Sequence, residues 1–139
     1  MNEQQTQLVQ DSFEYVKPIA GVAADLFYTR LFELDPSLRP LFSADLSEQK
    51  VKLMSTLAFA VAGLKQPEKT LAVVRQLGQR HVGYGVQATH YQTVGTALLW
   101  TLEQGLADKF TPPVAEAWTA AYTLIASTMQ EATEAAAVY

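Results

Sequence analysis

Five side chains in this chain are of types that could act together on one bound group: Tyr28, Phe42, Gln49, His81 and Tyr91. His81 closes an apolar stripe of Val73, Val74 and Leu77 on a segment whose spacing predicts a helix over 67–81. An imidazole there faces inward. The Leu77 carbonyl one turn back can hold its Nδ1 proton and leave Nε2 free, as an axial metal ligand requires. A buried, hydrogen-bonded histidine at a helix end is the blander reading of the same position. Gln49 heads a stripe continued by Leu53, Leu57, Val61 and Leu64. It either sits at an exposed helix end or turns its amide into a cavity. Tyr28 has two readings as well, a donor to a bound guest or a core aromatic bonded to a backbone carbonyl.

The elements that must position these groups are helical throughout. Residues 3–17 carry Leu8, Val9, Ser12, Phe13 and Val16 at helical spacing. Pro18 suits the first position of a second helix running to Leu34. There Ile19, Val22, Ala23, Leu26, Phe27, Tyr28, Leu31 and Phe32 leave only Asp25, Thr29 and Glu33 polar, so this helix is expected to be central and covered on most sides. Pro36 and Pro40 restrict 35–42 to one short turn and an irregular corner at which Phe42 stands. Asp45 and Glu48 have capping-box spacing for a helix from about Leu46 to Leu64. A helix from Thr89 turns Tyr91, Val94, Leu98, Leu102 and Leu106 inward. The last opens with Thr111 as cap and Pro112 at its first position, and its inner face is Val114, Trp118, Tyr122, Ile125, Met129 and Thr133. No period-two alternation survives, and the fold class is all-α.

Composition narrows the chemistry. The 139 residues suit a single domain over 1–139, with 49% hydrophobic and 17% charged residues. A mean hydropathy of +0.03 argues against a spanning segment. The polar start carries no basic region followed by an apolar run, so a cytoplasmic protein is expected. Zero cysteines remove disulfides, thiolate metal sites and iron–sulfur clusters. A net charge of −4 with scattered Lys and Arg argues against nucleic acid and acidic membranes as partners. The chain has no phosphate loop, no His-Glu-x-x-His pair and no calcium loop. One cofactor at the convergence of the apolar stripes would use all five singled-out residues.

The runs Leu26-Phe27-Tyr28-Thr29-Arg30-Leu31-Phe32, Arg39-Pro40-Leu41-Phe42, Leu77-Gly78-Gln79-Arg80-His81, His90-Tyr91-Gln92-Thr93-Val94-Gly95 and Ala117-Trp118-Thr119-Ala120-Ala121-Tyr122 occur in one order and spacing. In these the chain resembles the single-domain bacterial haemoglobins and the globin domain of flavohaemoglobins, from about Gln5 to Thr133. The resemblance implies a globin fold of seven to eight helices around a pocket for haem b. It implies His81 as the proximal iron ligand, Phe42 packed on the porphyrin, and Tyr28 and Gln49 as polar distal residues. Leu53 would be the apolar neighbour of the bound gas, Lys52 could reach a propionate, and Leu57, Val86 and Val94 would add apolar contacts. Tyr91 would stand beside His81, whereas His90 would be structural.

Two departures from the family pattern matter. A glutamate that supports the proximal histidine in flavohaemoglobins corresponds here to Thr133, with Glu131 and Glu134 flanking it off the inner stripe. A weaker donor network tilts the reading from oxygen-cleaving chemistry towards reversible binding of O2, CO and NO. The segment between Phe42 and Gln49 is also shorter than in many relatives, which affects the pose of Gln49. A nitric-oxide dioxygenase is the alternative, and it would need a separate flavin reductase because 139 residues leave no room for one. A further alternative is an all-α interaction domain without haem. A monomer or weak homodimer is expected.

Overall fold

The computed structural model describes the backbone of residues 1–82 and 88–138, and their side chains except those of residues 67, 77–82, 88 and 132–138. It contains helices α1 (Glu3–Val16), α2 (Ala20–Leu34), α3 (Ser47–Ala62), α4 (Pro67–Val82), α5 (Ala88–Leu106) and α6 (Pro112–Val138). Short 3-10 segments cover Lys17–Ile19, Pro36–Leu41, Gly63–Lys65 and Ala107–Lys109. Among the described residues there is no strand, and no helix is long and apolar enough to cross a membrane. The all-α reading stands. The helices of the expected globin fold appear among the described residues as six α-helices and four 3-10 segments, the corner over Pro36–Leu41, with Pro40 inside it, being one of the latter.

Helix α1 starts on a reciprocal cap, with Gln5 N–H donating to Asn2 Oδ1 at 2.8 Å and Asn2 N–H to Gln5 Oε1 at 3.1 Å. Its inner face buries Val9, Phe13 and Val16. Trp118 Nε1 of α6 donates to Ser12 Oγ at 2.8 Å, and Ser12 Oγ donates to the Leu8 carbonyl at 2.7 Å. The indole therefore enters the core without stranding its N–H. Pro18 does not open α2. It lies in the 3-10 turn Lys17–Ile19, which redirects the chain before α2 begins at Ala20.

Helix α2 packs on α5 and α3, while α6 packs on α1, α4 and α5. Phe27, Tyr28 and Leu31 of α2 meet Ala97, Leu98 and Leu102 of α5 and Ala117, Trp118 and Ala121 of α6 in one buried cluster. Each such large side chain contributes roughly 1.5–3 kcal/mol by leaving water. The cover expected over most sides of α2 is present, with two corrections: Val22 is 59% exposed, beside the polar stripe of Asp25, Thr29 and Glu33, and Leu34 is 39% exposed at the helix end.

A similar correction applies to α4. Val74 is buried but Val73 is 46% exposed, and the inner position one turn before Val74 belongs to Thr70. The Thr70 hydroxyl donates to the Gly63 carbonyl at 2.8 Å, which lets a polar side chain sit inside. Gly63 is needed there, because a Cβ on it would stand 2.0 Å from Thr70 Oγ1.

Candidate functional site

The 3-10 corner delivers the first part of the site. Asp35 caps it by accepting from Ser37 N–H at 3.1 Å, and the chain leaves at Phe42 in extended conformation. The Phe42 ring is partly buried and makes edge-on contacts with Tyr28 at 5.7 Å and Phe32 at 5.6 Å between centroids. Tyr28 also meets Phe27 edge-on at 5.0 Å. These tilted arrangements are the favoured ones for aromatic quadrupoles. Phe42 and Tyr28, fourteen positions apart in the sequence, are thus one unit in space.

The start of α3 completes this side. The expected capping box does not form: Asp45 Oδ1 accepts from Ser47 N–H at 2.9 Å and Ser47 Oγ at 2.7 Å, and Leu46 occupies the cap position without a side-chain bond. Those bonds, first the Ser47 hydroxyl and then its amide, hold the Asp45 carboxyl below its ordinary range. Lys50 Nζ bridges to Asp25 Oδ1 of α2 at 2.8 Å. Gln49 is partly buried rather than at an exposed end, and its backbone carbonyl lies 3.5 Å from the Tyr28 hydroxyl.

Tyr28 is 3% exposed. Burial pushes its phenol above the ordinary range, and the neighbouring Gln49 partly offsets that. A 3.5 Å bond to the Gln49 carbonyl is at the limit of useful geometry, so the hydroxyl is only loosely engaged by it. Leu53 and Leu57 are partly buried and packed against the core, as is Val94 of α5, whereas Lys52 is exposed.

Tyr91 anchors a second cluster with Val74, Ala126 and Met129, where α4, α5 and α6 converge. Tyr122 packs against both clusters. Its hydroxyl donates to the Tyr91 carbonyl at 2.6 Å. Burial foremost, then the neighbouring Tyr91, pushes the Tyr122 phenol far up. The Tyr91 hydroxyl itself is buried and takes no hydrogen-bond partner among the described residues. Such a group normally finds one.

The backbone of α4 continues through His81 to Val82. The His81 side chain lies outside the described residues, as do Val86 and the side chains of Thr133 and Glu134. Glu131 is exposed. Tyr28, Phe42 and Gln49 are therefore brought together on one side, and Tyr91 is placed apart from them in the second cluster. Reading the sequence missed Arg39, whose guanidinium binds the carbonyls after the corner, and the hydroxyl of Tyr122. Neither belongs to a local pattern, whereas the Asn2-x-x-Gln5 cap was there to be found.

A family model described as Globin matches residues 25–129. A flavohaemoprotein of Vibrio cholerae is 30% identical over 131 residues, 91% of this chain and 33% of that protein. One of Bordetella pertussis is 36% identical over 104 residues, covering 72% and 26%. Neuroglobin of Danio rerio is 28% identical over 143 positions, covering 93% of this chain and 90% of that one. This chain spans about a third or less of the flavohaemoproteins it matches. Among solved structures, a bacterial globin of Campylobacter jejuni superposes with a TM-score of 0.87 at 22% identity, covering 99% and 100% of the two chains. An engineered carbene transferase from Rhodothermus marinus superposes with a TM-score of 0.87 at 28% identity, covering 99% and 97%.

Proposed function

Because this chain belongs to the globin family, we propose that it binds haem b as a single domain over 1–139 and uses it to hold dioxygen, and also CO and NO, reversibly. The observation that carries the reading is the meeting of Tyr28 and Gln49 between α2 and α3 inside an aromatic and aliphatic shell. Two further features fit a flat apolar group. Phe42, Leu53, Leu57 and Val94 stay only partly buried although packed against the core, and the Tyr91 hydroxyl has no partner among the described residues. The absence of cysteine leaves no route to thioether attachment, which favours the b type.

Bound haem would supply a ferrous iron able to bind a diatomic gas. His81, two turns beyond Val74 on α4, would be its protein ligand, and Tyr91 would stand beside that histidine. Phe42, Leu53, Leu57, Val86 and Val94 would exclude water, and exposed Lys52 would reach a carboxylate at the rim. Tyr28, neutral because it is buried, offers a proton donor to a polarised gas, with Gln49 as second donor. With Thr133 where flavohaemoglobins carry a glutamate, that position would supply no carboxylate to strengthen the histidine.

The test is the visible spectrum of the purified protein with and without dithionite, O2 and CO. A Soret band that shifts with each gas is expected, and a colourless protein that takes up no added haem would overturn the reading. The flavohaemoprotein relatives support a second reading, a nitric-oxide dioxygenase served by a separate flavin reductase. One equivalent of NO consumed and no more, with NADH and a matched reductase present, would leave reversible binding; sustained turnover at the reductase's rate would establish the enzyme.

A further inference from the structure

Arg39 stands in the middle of the 3-10 corner, and its guanidinium works as a clamp on the chain that follows. Nη1 donates to the carbonyls of Phe42 at 3.3 Å and Ser43 at 2.9 Å, and Nη2 to that of Ala44 at 3.0 Å. Its Cζ lies over the Phe32 ring at 5.3 Å, and Phe32 in turn meets Phe42 edge-on at 5.6 Å. Arg39 takes no carboxylate partner among the described residues, so its hydrogen bonding is spent on three successive carbonyls. A planar fork with five N–H groups can span them, and a single ammonium cannot.

These carbonyls need a donor. Residues 42–44 lie between the 3-10 corner and α3, in neither, and their carbonyls have no backbone donor among the described residues. Without the guanidinium, the residue that carries the Phe42 ring would be tied to the corner chiefly by the Phe42 N–H bond to the Arg39 carbonyl, at 3.1 Å.

We infer that Arg39 is a positioning residue that holds Phe42 against the cofactor pocket and thereby sets how long haem stays bound, without itself donating to the gas. This rests on the haem reading above. The clamp acts on backbone carbonyls and on the Phe32 ring and bonds neither Tyr28 nor Gln49, so its loss frees the Phe42 ring without removing a donor to the gas.

The experiment measures haem transfer from the ferric protein to an excess of apomyoglobin, for wild type, Arg39→Lys, Arg39→Met and Phe42→Leu, with the last also combined with Arg39→Met. Arg39→Met is expected to lose haem at least roughly fivefold faster, the loss of ~1 kcal/mol of hydrogen bonding at ~1.4 kcal/mol per decade. Arg39→Lys should fall near Arg39→Met, since charge alone does not restore the fork. Rates of O2 and CO release should change less than haem loss, because no donor to the gas is removed. In the Phe42→Leu background, Arg39→Met should add little, because the residue it positions is gone. Equal acceleration in both backgrounds, or unchanged haem loss in Arg39→Met, would overturn the inference.

A wild-type protein that takes up no haem would instead sink the underlying reading. Amide exchange of the apo-protein then tests the clamp by itself. Faster exchange at Phe42 and Ser47 in Arg39→Met supports it, and unchanged exchange refutes it.

Discussion

The Tyr28 hydroxyl lies 3.5 Å from the backbone carbonyl of Gln49, on a neighbouring helix. That spacing is short enough to orient the phenol and too long to hold it. A donor in this state can leave its carbonyl for a better acceptor at little cost.

Tyr28→Phe therefore removes a hydrogen bond to a partly negative gas, worth roughly 1.5–3 kcal/mol, or about 10- to 150-fold in dissociation. Stopped-flow release of O2 should be at least several-fold faster and autoxidation quicker, while CO release barely changes because CO is far less polarised. Equal O2 release in the two proteins would show that Tyr28 is only a core aromatic.

His81→Ala should abolish stable haem binding, or leave a loosely held haem that added imidazole rescues. His90→Ala should keep the normal spectrum, since His90 belongs to α5. Haem content measured in both variants decides the assignment, and loss of haem in His90→Ala would reverse it.

The two buried phenols make a prediction about alkaline pH. Tyr28 and Tyr122 both have folded-state pKa values above the ordinary 10.0, chiefly through burial. Their contribution to stability is complete below that value and is lost as pH rises through the folded-state pKa values. In a phenolate absorbance titration, these two should ionise only as the helical circular dichroism collapses. Tyr122→Phe should remove one late-titrating group. Reversible ionisation of all the tyrosines before any unfolding would contradict the burial.

Asp45 behaves oppositely. Its carboxyl is held below the ordinary 3.8, first by the Ser47 hydroxyl and then by the Ser47 amide. The cap is fully present above that value and is lost as pH falls through the lowered folded-state pKa. Asp45→Ala should fray the first turn of α3 already at neutral pH, seen as faster amide exchange at Ser47. Exchange that matches wild type would mean the cap contributes nothing.

Gly95 sets how closely α5 approaches Tyr122. A Cβ there would stand 2.7 Å from Tyr122 Cε2, and the ring cannot retreat without loosening its 2.6 Å bond to the Tyr91 carbonyl. Overpacking of this kind costs about 1–3 kcal/mol, against a gain of about 1 kcal/mol from replacing glycine by alanine in a helix. Gly95→Ala should therefore be net destabilising in urea unfolding, and a more stable variant would disprove the tight contact.

The amino-acid sequence by itself determined the helices and most of their inner faces. The 3.6-residue spacing of apolar side chains, Pro112 at the start of α6 and the two prolines of the corner are local signals, and they act on the backbone whatever packs beside it. The positions of Tyr28 and Phe42 followed from those helices. Only the tertiary structure decided which flank of each apolar arc is covered, and it left Val22 and Val73 exposed. It alone paired Tyr122 with the Tyr91 carbonyl and Tyr28 with that of Gln49, contacts between helices 31 and 21 residues apart in sequence. Arg39, though close to its partners in the chain, turns back on them only because the 3-10 corner and the Phe32 ring aim its guanidinium. Periodicity reports a side chain's direction around its own helix axis. Its partner depends on how far away, and at what angle, the next helix passes.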